Sequence, residues 1–229
     1  MTIPNSEFRI PNSAKRVALF CGHYGSGKTN LAVNYALWLR EQGLPAALAD
    51  IDVVNPYFRS KDSEKELAAA GVRVIALPFA NSSVDLPSLP SEVYGLVQRR
   101  DVYAVLDIGG DERGALALGR FAPYIAEEND YEMFFVVNFY RPLTPDAESA
   151  LEVMREIGAA VPLRFSAIVN NSNLGEETTP ETVERTLPEA QRLSALTGLP
   201  VAFTAASSRL AGQIRAENVK YIELQKKPF

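Results

Sequence analysis

The chain is 229 residues and 25.1 kDa, enough at roughly 150 residues per domain for one large domain or two small ones with a sizeable core. Hydrophobic residues at 47 % and charged residues at 22 % exclude a disordered chain. The balance of 23 Lys and Arg against 28 Asp and Glu, a net charge of -5, argues against a surface built to grip nucleic-acid backbones. The one cysteine, Cys21, cannot form an intramolecular disulfide, and no CxxC pair offers a zinc or iron–sulfur site shared between subunits, which fits a reducing cytoplasm.

Residues 1–15 (MTIPNSEFRIPNSAK) lack the apolar stretch of a signal peptide and read as an N-terminal arm. No window approaches the ~20 apolar residues that span a bilayer, so no membrane association is expected. From residue 16 onward, apolar runs alternate with segments of helical spacing, the pattern of a parallel sheet covered on both faces. About seven strands are expected, over 16–21, 45–51, 72–78, 102–108, 133–139, 165–170 and 201–205. Gly43 closes the first helix, and Thr144, Pro145 and Asp146 open a later one as N-cap, N1 proline and early acid. Ala150, Leu151, Met154 and Ile157 then form the stripe of a helix lying on a sheet. Pro188, inside 179–197, predicts a break or two short helices. With no fixed-period repeat and no long Gly, Ser or Pro linker, 16–229 reads as a single domain. The stretch 79–90 (FANSSVDLPSLP) exceeds the usual connection length, so it either borders a site or is an ordinary surface loop.

Gly22-His23-Tyr24-Gly25-Ser26-Gly27-Lys28-Thr29 satisfies G-x-x-x-x-G-K-[ST] and lies after an apolar strand and before a helix, where a phosphate-binding loop must be. The glycines let backbone N–H groups turn inward around phosphates, and the helix start adds unpaired donors and a positive dipole end. Lys28 then reaches the terminal phosphates, and the Thr29 hydroxyl is a ligand for Mg²⁺. Such a loop requires acids at the ends of neighbouring strands, and three candidates stand at two strand ends: Asp50 and Asp52 in Ala49-Asp50-Ile51-Asp52, and Asp107 in Val105-Leu106-Asp107-Ile108-Gly109-Gly110. Strand alternation points Asp50 and Asp52 to one side, towards one metal or water. Asp107 reads as the Walker B acid, holding Mg²⁺ directly or through water, and Gly110 offers its N–H to the γ-phosphate.

In their order along the chain, the loop, the Asp50-x-Asp52 pair and Asp107-x-x-Gly110 resemble the MinD, ParA and CobQ/CobB-type nucleotide-binding proteins of the SIMIBI class. The resemblance implies a three-layer α/β/α P-loop NTPase with a mostly parallel sheet and the Walker B strand directly beside the P-loop strand. It also implies an ATPase, an ATP-dependent synthetase or a nucleotide switch, in some cases a nucleotide-dependent homodimer. The family's loop usually reads G-K-G-G-x-G-K-[ST], its first lysine crossing an ATP-sandwiched dimer to the partner's phosphates. Here His23 and Tyr24 stand in those places, so the resemblance does not extend to that lysine. His23 either adds a switchable charge or shapes the loop, and Tyr24 either contacts a ligand or partner or is an exposed loop tyrosine. Residues 53–59 (VVNPYFR) occupy the place of the family's first switch, with Arg59 a phosphate or partner contact, or with Tyr57 and Phe58 anchoring the next helix.

Guanine-binding relatives place N-K-x-D after a late strand because a carboxylate accepts both guanine N–H groups. This chain has Asn170-Asn171-Ser172-Asn173, which favours ATP, with the Asn170 amide pairing with adenine; Asn171 and Asn173 read as turn residues. The expected function is Mg²⁺-dependent ATP binding with slow hydrolysis to ADP as a nucleotide-gated switch. Lys28 stabilises the transferring phosphoryl group and Asp52, or else Asp50, orients the attacking water. Two alternatives remain. One is an ATP-dependent synthetase or kinase of the CobQ/CobB or dethiobiotin-synthetase kind, with a small metabolite near 79–90 and 138–141. The other is a non-catalytic module that loads or positions a protein partner. The segment 218–229 (NVKYIELQKKPF) is too short and too weakly apolar to match MinD's membrane helix, and the missing cysteines exclude a cluster-bridged dimer.

Overall fold

In the computed structural model, which describes residues 14–51, 61–76, 91–110 and 112–224, apolar runs and amphipathic segments alternate as eight strands and eight α-helices. The strands are β1 (Val17–Cys21), β2 (Ala46–Ile51), β3 (Arg73–Ala76), β4 (Tyr103–Ile108), β5 (Tyr131–Val137), β6 (Ala167–Asn170), β7 (Val201–Ser207) and β8 (Val219–Ile222). The helices are α1 (Lys28–Glu41), α2 (Lys61–Ala69), α3 (Ser91–Gln98), α4 (Glu112–Gly119), α5 (Ala122–Glu128), α6 (Ala147–Ala160), α7 (Pro180–Glu184) and α8 (Leu187–Thr197). All strand pairs are parallel, in the spatial order β3-β2-β4-β1-β5-β6-β7-β8. The strand carrying Asp107 therefore lies beside the strand that leads into Gly22.

Every residue of β1 and β2 is buried, as a sheet covered on both faces requires. Alternation splits them: Val17, Leu19 and Cys21 pack with α3, α4 and α5, whereas Ala18 and Phe20 pack with α1 and Leu67 of α2. Phe135, Val137 and Ile168 continue the first face under α6 and α8. Helices on both faces of one parallel sheet make three layers, and all strands present their C-terminal ends along one edge. Among the described residues, no helix is long and apolar enough to cross a membrane.

The eighth strand departs from the expected seven. Its pattern is half-buried at Val219 and Tyr221 and buried at Lys220 and Ile222, and the lysine interrupts what would otherwise read as an apolar run. The break at Pro188 takes the form of two helices, α7 and α8, with the proline in the first turn of α8, where its missing N–H has no intrahelical partner to lose.

The start of α6 corrects another expectation: its N-cap is Asp146, not Thr144. Asp146 is extended and accepts the Ser149 N–H at 2.9 Å, while the Thr144 hydroxyl turns away to donate to Asn138 O at 2.8 Å. That hydrogen bond holds the Asp146 carboxyl below the usual aspartate range. A group depressed in the folded state contributes stability above its unfolded value, and the contribution is lost as pH falls through the folded value. Asp146→Ala should therefore lower the urea midpoint at neutral pH and flatten its fall below about pH 4, as read from unfolding curves at stepped pH.

Beneath the opposite edge, Arg16 and Glu128 form a buried, two-point ion pair, each 6 % exposed. Arg16 also donates to Arg99 O at 2.7 Å and Val97 O at 2.6 Å, tying β1 to the ends of α3 and α5. Arg16→Met leaves Glu128 buried with, among the described residues, only the exposed Arg100 as a cationic partner, at 2.9 Å. Because Arg100 still offsets part of the charge, denaturant unfolding should show a loss of about 2 kcal/mol, below the range for stranding a buried charge altogether.

Candidate functional site

After Cys21 the chain leaves the sheet through a loop whose two ends favour glycine. Gly22 has φ +156, and a Cβ there would lie 2.2 Å from Val136 O of β5. Gly27, at φ +87, is the N-cap of α1, and its Cβ would lie 2.2 Å from Asn171 Nδ2. Gly110, just past β4, packs against the same loop from the other side. A Cβ there would meet Gly22 O, Tyr24 N and His23 C at 2.6, 2.7 and 2.8 Å. The loop is thus walled by β5 and by the turns that follow β4 and β6.

The loop's electrostatics are those of an anion receptor. α1 has no acidic residue of its own in its first turn and no side-chain cap, which leaves its first N–H groups and positive dipole end open to an anion. Its first residue is a cation: Lys28 is buried, donates to His23 O at 3.2 Å, and has no carboxylate partner among the described residues. In the same loop Ser26 adds a buried hydroxyl without a hydrogen-bond partner among the described residues. A buried ammonium at the positive end of a helix is unfavourable twice over, and an anion relieves both terms.

Next to Lys28, the Thr29 hydroxyl donates to Asp107 Oδ2 at 2.5 Å. Asp107 is buried, and its register partner on the neighbouring strand is Asp50, also buried. In-register residues of parallel neighbours share a face, here the face covered by α1, so both carboxylates lie on the Thr29 side of the sheet. Asp52 lies outside the described residues, as do 53–59 and 79–90. Among the described residues no three His, Cys, Asp or Glu side chains cluster as a protein-only metal site. A hydroxyl and one or two carboxylates fit Mg²⁺ instead, which takes few protein ligands and completes its shell with water and phosphate oxygens.

His23 stays at the loop surface, its Nδ1 3.0 Å from Tyr24 O; the carbonyl can only accept, so the imidazole proton sits on Nδ1. Tyr24 is 64 % exposed. Cys21 is fully enclosed, and burial pushes its thiol up, which makes it a packing residue.

The turn after β6 corrects the assignment of the asparagines. Asn170 is fully buried, its Nδ2 donating to Thr186 Oγ1 at 3.0 Å and its Oδ1 accepting from the Ser172 hydroxyl at 2.7 Å, so its amide is spent inside the protein and does not address a base. Asn171, expected only to turn the chain, donates to Ser26 O at 2.7 Å and braces the phosphate loop. Asn173 spends its own amide on Asn171 O and the Gly175 N–H. Arg141, in the turn after β5, likewise reaches the loop, its Nε donating to Gly25 O at 2.8 Å. Neither contact has a local sequence signal, because each joins turns more than a hundred residues apart.

No protein-family model and no curated protein sequence matches this chain. Solved structures do match. The chain is similar to the chloroplast FtsY of Physcomitrella patens (TM-score 0.53, 17 % identity, 88 % of this chain and 62 % of that one). It is also similar to the cell division protein FtsY of Thermotoga maritima (0.56, 16 %, 89 % and 66 %). A third similar structure is the signal recognition particle 54 kDa protein of Aeropyrum pernix in complex with GDP (0.52, 16 %, 87 % and 44 %). The chain spans less than two thirds of the length of each of these structures. At this identity the likeness is one of fold, and the fold is that of an α/β P-loop NTPase.

Proposed function

We propose that the chain binds a nucleoside triphosphate with Mg²⁺, hydrolyses it slowly, and works as a nucleotide-gated switch. The observation that carries this reading is the buried Lys28 ammonium at an uncapped helix start, facing no carboxylate among the described residues. Lys28 and the amides of Gly22–Thr29 hold the phosphate chain and offset charge on the transferring group. Thr29 and Asp107 would hold Mg²⁺, which would supply neutralisation of the phosphate charge. Asp52 or Asp50 orients the water, Asp50 being supported by its place beside Asp107. Gly110 would offer its N–H to the γ-phosphate, a role supported by its packing on the loop backbone.

ATP is the nucleotide we infer, because none of Asn170, Asn171, Ser172 and Asn173 supplies the carboxylate that guanine selection uses. The GDP in a similar structure makes GTP the necessary comparison. Within the P-loop class, the order of the loop, Asp50-x-Asp52 and Asp107-x-x-Gly110 along the chain supports the MinD, ParA and CobQ/CobB type, and a second copy of the chain, a protein partner or a small metabolite would be what the switch addresses.

Calorimetry with ATP and with GTP, each with Mg²⁺, tests the reading, together with phosphate release and light-scattering mass with and without nucleotide. Absence of heat with both nucleotides rejects it, and tighter binding of GTP rejects the choice of base. Asp107→Asn should raise the Mg²⁺ concentration for half-maximal turnover by roughly 10- to 100-fold while the fold persists, as read from a metal titration.

A further inference from the structure

We infer that Arg141 is a second cationic ligand of the phosphate chain, supplied in cis from the turn after β5 and resting on the nucleotide reading above. Its guanidinium is already seated on the loop. Nε donates to Gly25 O at 2.8 Å, and a Cβ on Gly25 would lie 3.2 Å from Nε and 3.5 Å from Cζ, so the group packs directly on the glycine. Lys28 engages His23 O, so the two cations are tied to carbonyls two residues apart in one loop, on either side of Tyr24.

The turn that carries Arg141 is heavily braced. Asn138, fully buried, accepts the Tyr140 N–H on Oδ1 at 3.0 Å, and its carbonyl accepts the Arg141 N–H at 3.0 Å and the Thr144 hydroxyl at 2.8 Å. The Tyr140 hydroxyl donates to Thr182 O at 2.7 Å. A turn pinned at so many points fixes where its one exposed cation emerges.

Bracing the loop does not by itself call for a charge, since Asn171 braces the adjacent Ser26 carbonyl with a neutral amide. Arg141 anchors through Nε only, and its two Nη amino groups have no protein partner, and the residue no carboxylate partner, among the described residues. That leaves two parallel donors of a planar fork for phosphate oxygens, the geometry in which arginine outperforms lysine. A triphosphate with one Mg²⁺ keeps negative charge beyond what Lys28 neutralises, and Arg141 is the next cation along the loop.

The test measures ATP, ADP and AMP affinity by calorimetry with Mg²⁺ for wild type, Arg141→Gln and Arg141→Lys, with urea midpoints alongside. The expected result for Arg141→Gln is a fall in ATP affinity of tenfold or more, a smaller fall for ADP and none for AMP, with an unchanged midpoint. Arg141→Lys should recover part of the loss. An equal loss for all three nucleotides, or no loss, would show a brace and overturn the inference while leaving the nucleotide reading intact. Restored turnover on mixing Arg141→Gln with Lys28→Met chains would place the arginine in a partner copy and overturn the cis assignment. Wild-type protein that binds no nucleotide would reject the nucleotide reading itself, and this inference with it.

Discussion

Lys28→Met lowers affinity for a nucleoside triphosphate by at least ~100-fold and, without nucleotide, leaves the folded protein more stable than wild type. The two effects have one cause. Lys28 is buried with a single neutral acceptor, His23 O, at the N-terminal end of α1, where the helix already carries partial positive charge and has no acid of its own in the first turn. Methionine keeps most of the apolar stem packed and removes the charge, so the gain is about 0.3–1 kcal/mol from the helix term alone. With ligand the sign reverses, because the wild type binds and the variant does not, and mass action then stabilises only the former. Urea midpoints of both proteins with and without 1,000-fold excess nucleotide over Kd should cross, the wild type gaining about 4 kcal/mol and the variant almost nothing. Equal midpoints in the absence of nucleotide would mean that the ammonium is compensated by something other than an absent anion.

Local chemistry was legible in the chain, and contacts between distant turns were not. The octet Gly22 to Thr29 declares itself because a backbone that wraps an anion needs glycine where side chains would collide, and Gly22 and Gly27 both meet neighbours at 2.2 Å if given a Cβ. Seven of the strands are legible because burial on both faces leaves nearly continuous apolar runs, as in β1, although β5 lies two residues earlier than 133–139 because half-buried Tyr131 and Glu132 open it. β8 escaped because Lys220 sits in its middle, and the α6 cap was shifted by two residues because the Thr144 hydroxyl had a tertiary acceptor, Asn138 O, that no local rule contains. The asparagines failed for the same reason. Whether Asn170 or Asn171 faces the loop depends on the alternation at the end of β6: both are buried, but Asn170 is bound to Thr186 of the α7–α8 junction and Asn171 to Ser26 O of the loop. Arg141 carried no signal because its value lies in a carbonyl 116 residues away.

Gly22→Ala should be among the most destabilising single substitutions in the described part of the chain, and comparison with Gly43→Ala separates the two ways in which a glycine can be required. Gly43, past the end of α1, has φ +76, but an added Cβ there meets nothing within 4 Å. Alanine at that position carries only the backbone strain of the left-handed region, about 1–2 kcal/mol. Gly22 combines a positive φ of +156 with a Cβ position 2.2 Å from a backbone oxygen of β5, in the middle of the sheet. A flexible side chain could swing aside, as the Asn171 amide can for Gly27→Ala, but Val136 O is held by its strand, so either β5 or the loop must move. The expected loss is about 3–5 kcal/mol, against about 1–2 for Gly43→Ala, in urea unfolding of the nucleotide-free proteins. Since the loop is the softer element, the displacement falls on its amides, and a Gly22→Ala protein that still folds should bind nucleotide more weakly while Gly43→Ala binds normally. A loss at Gly22 no larger than that at Gly43 would show that the loop yields without effort, and then the close walls around it could not be what holds its amides in place for an anion.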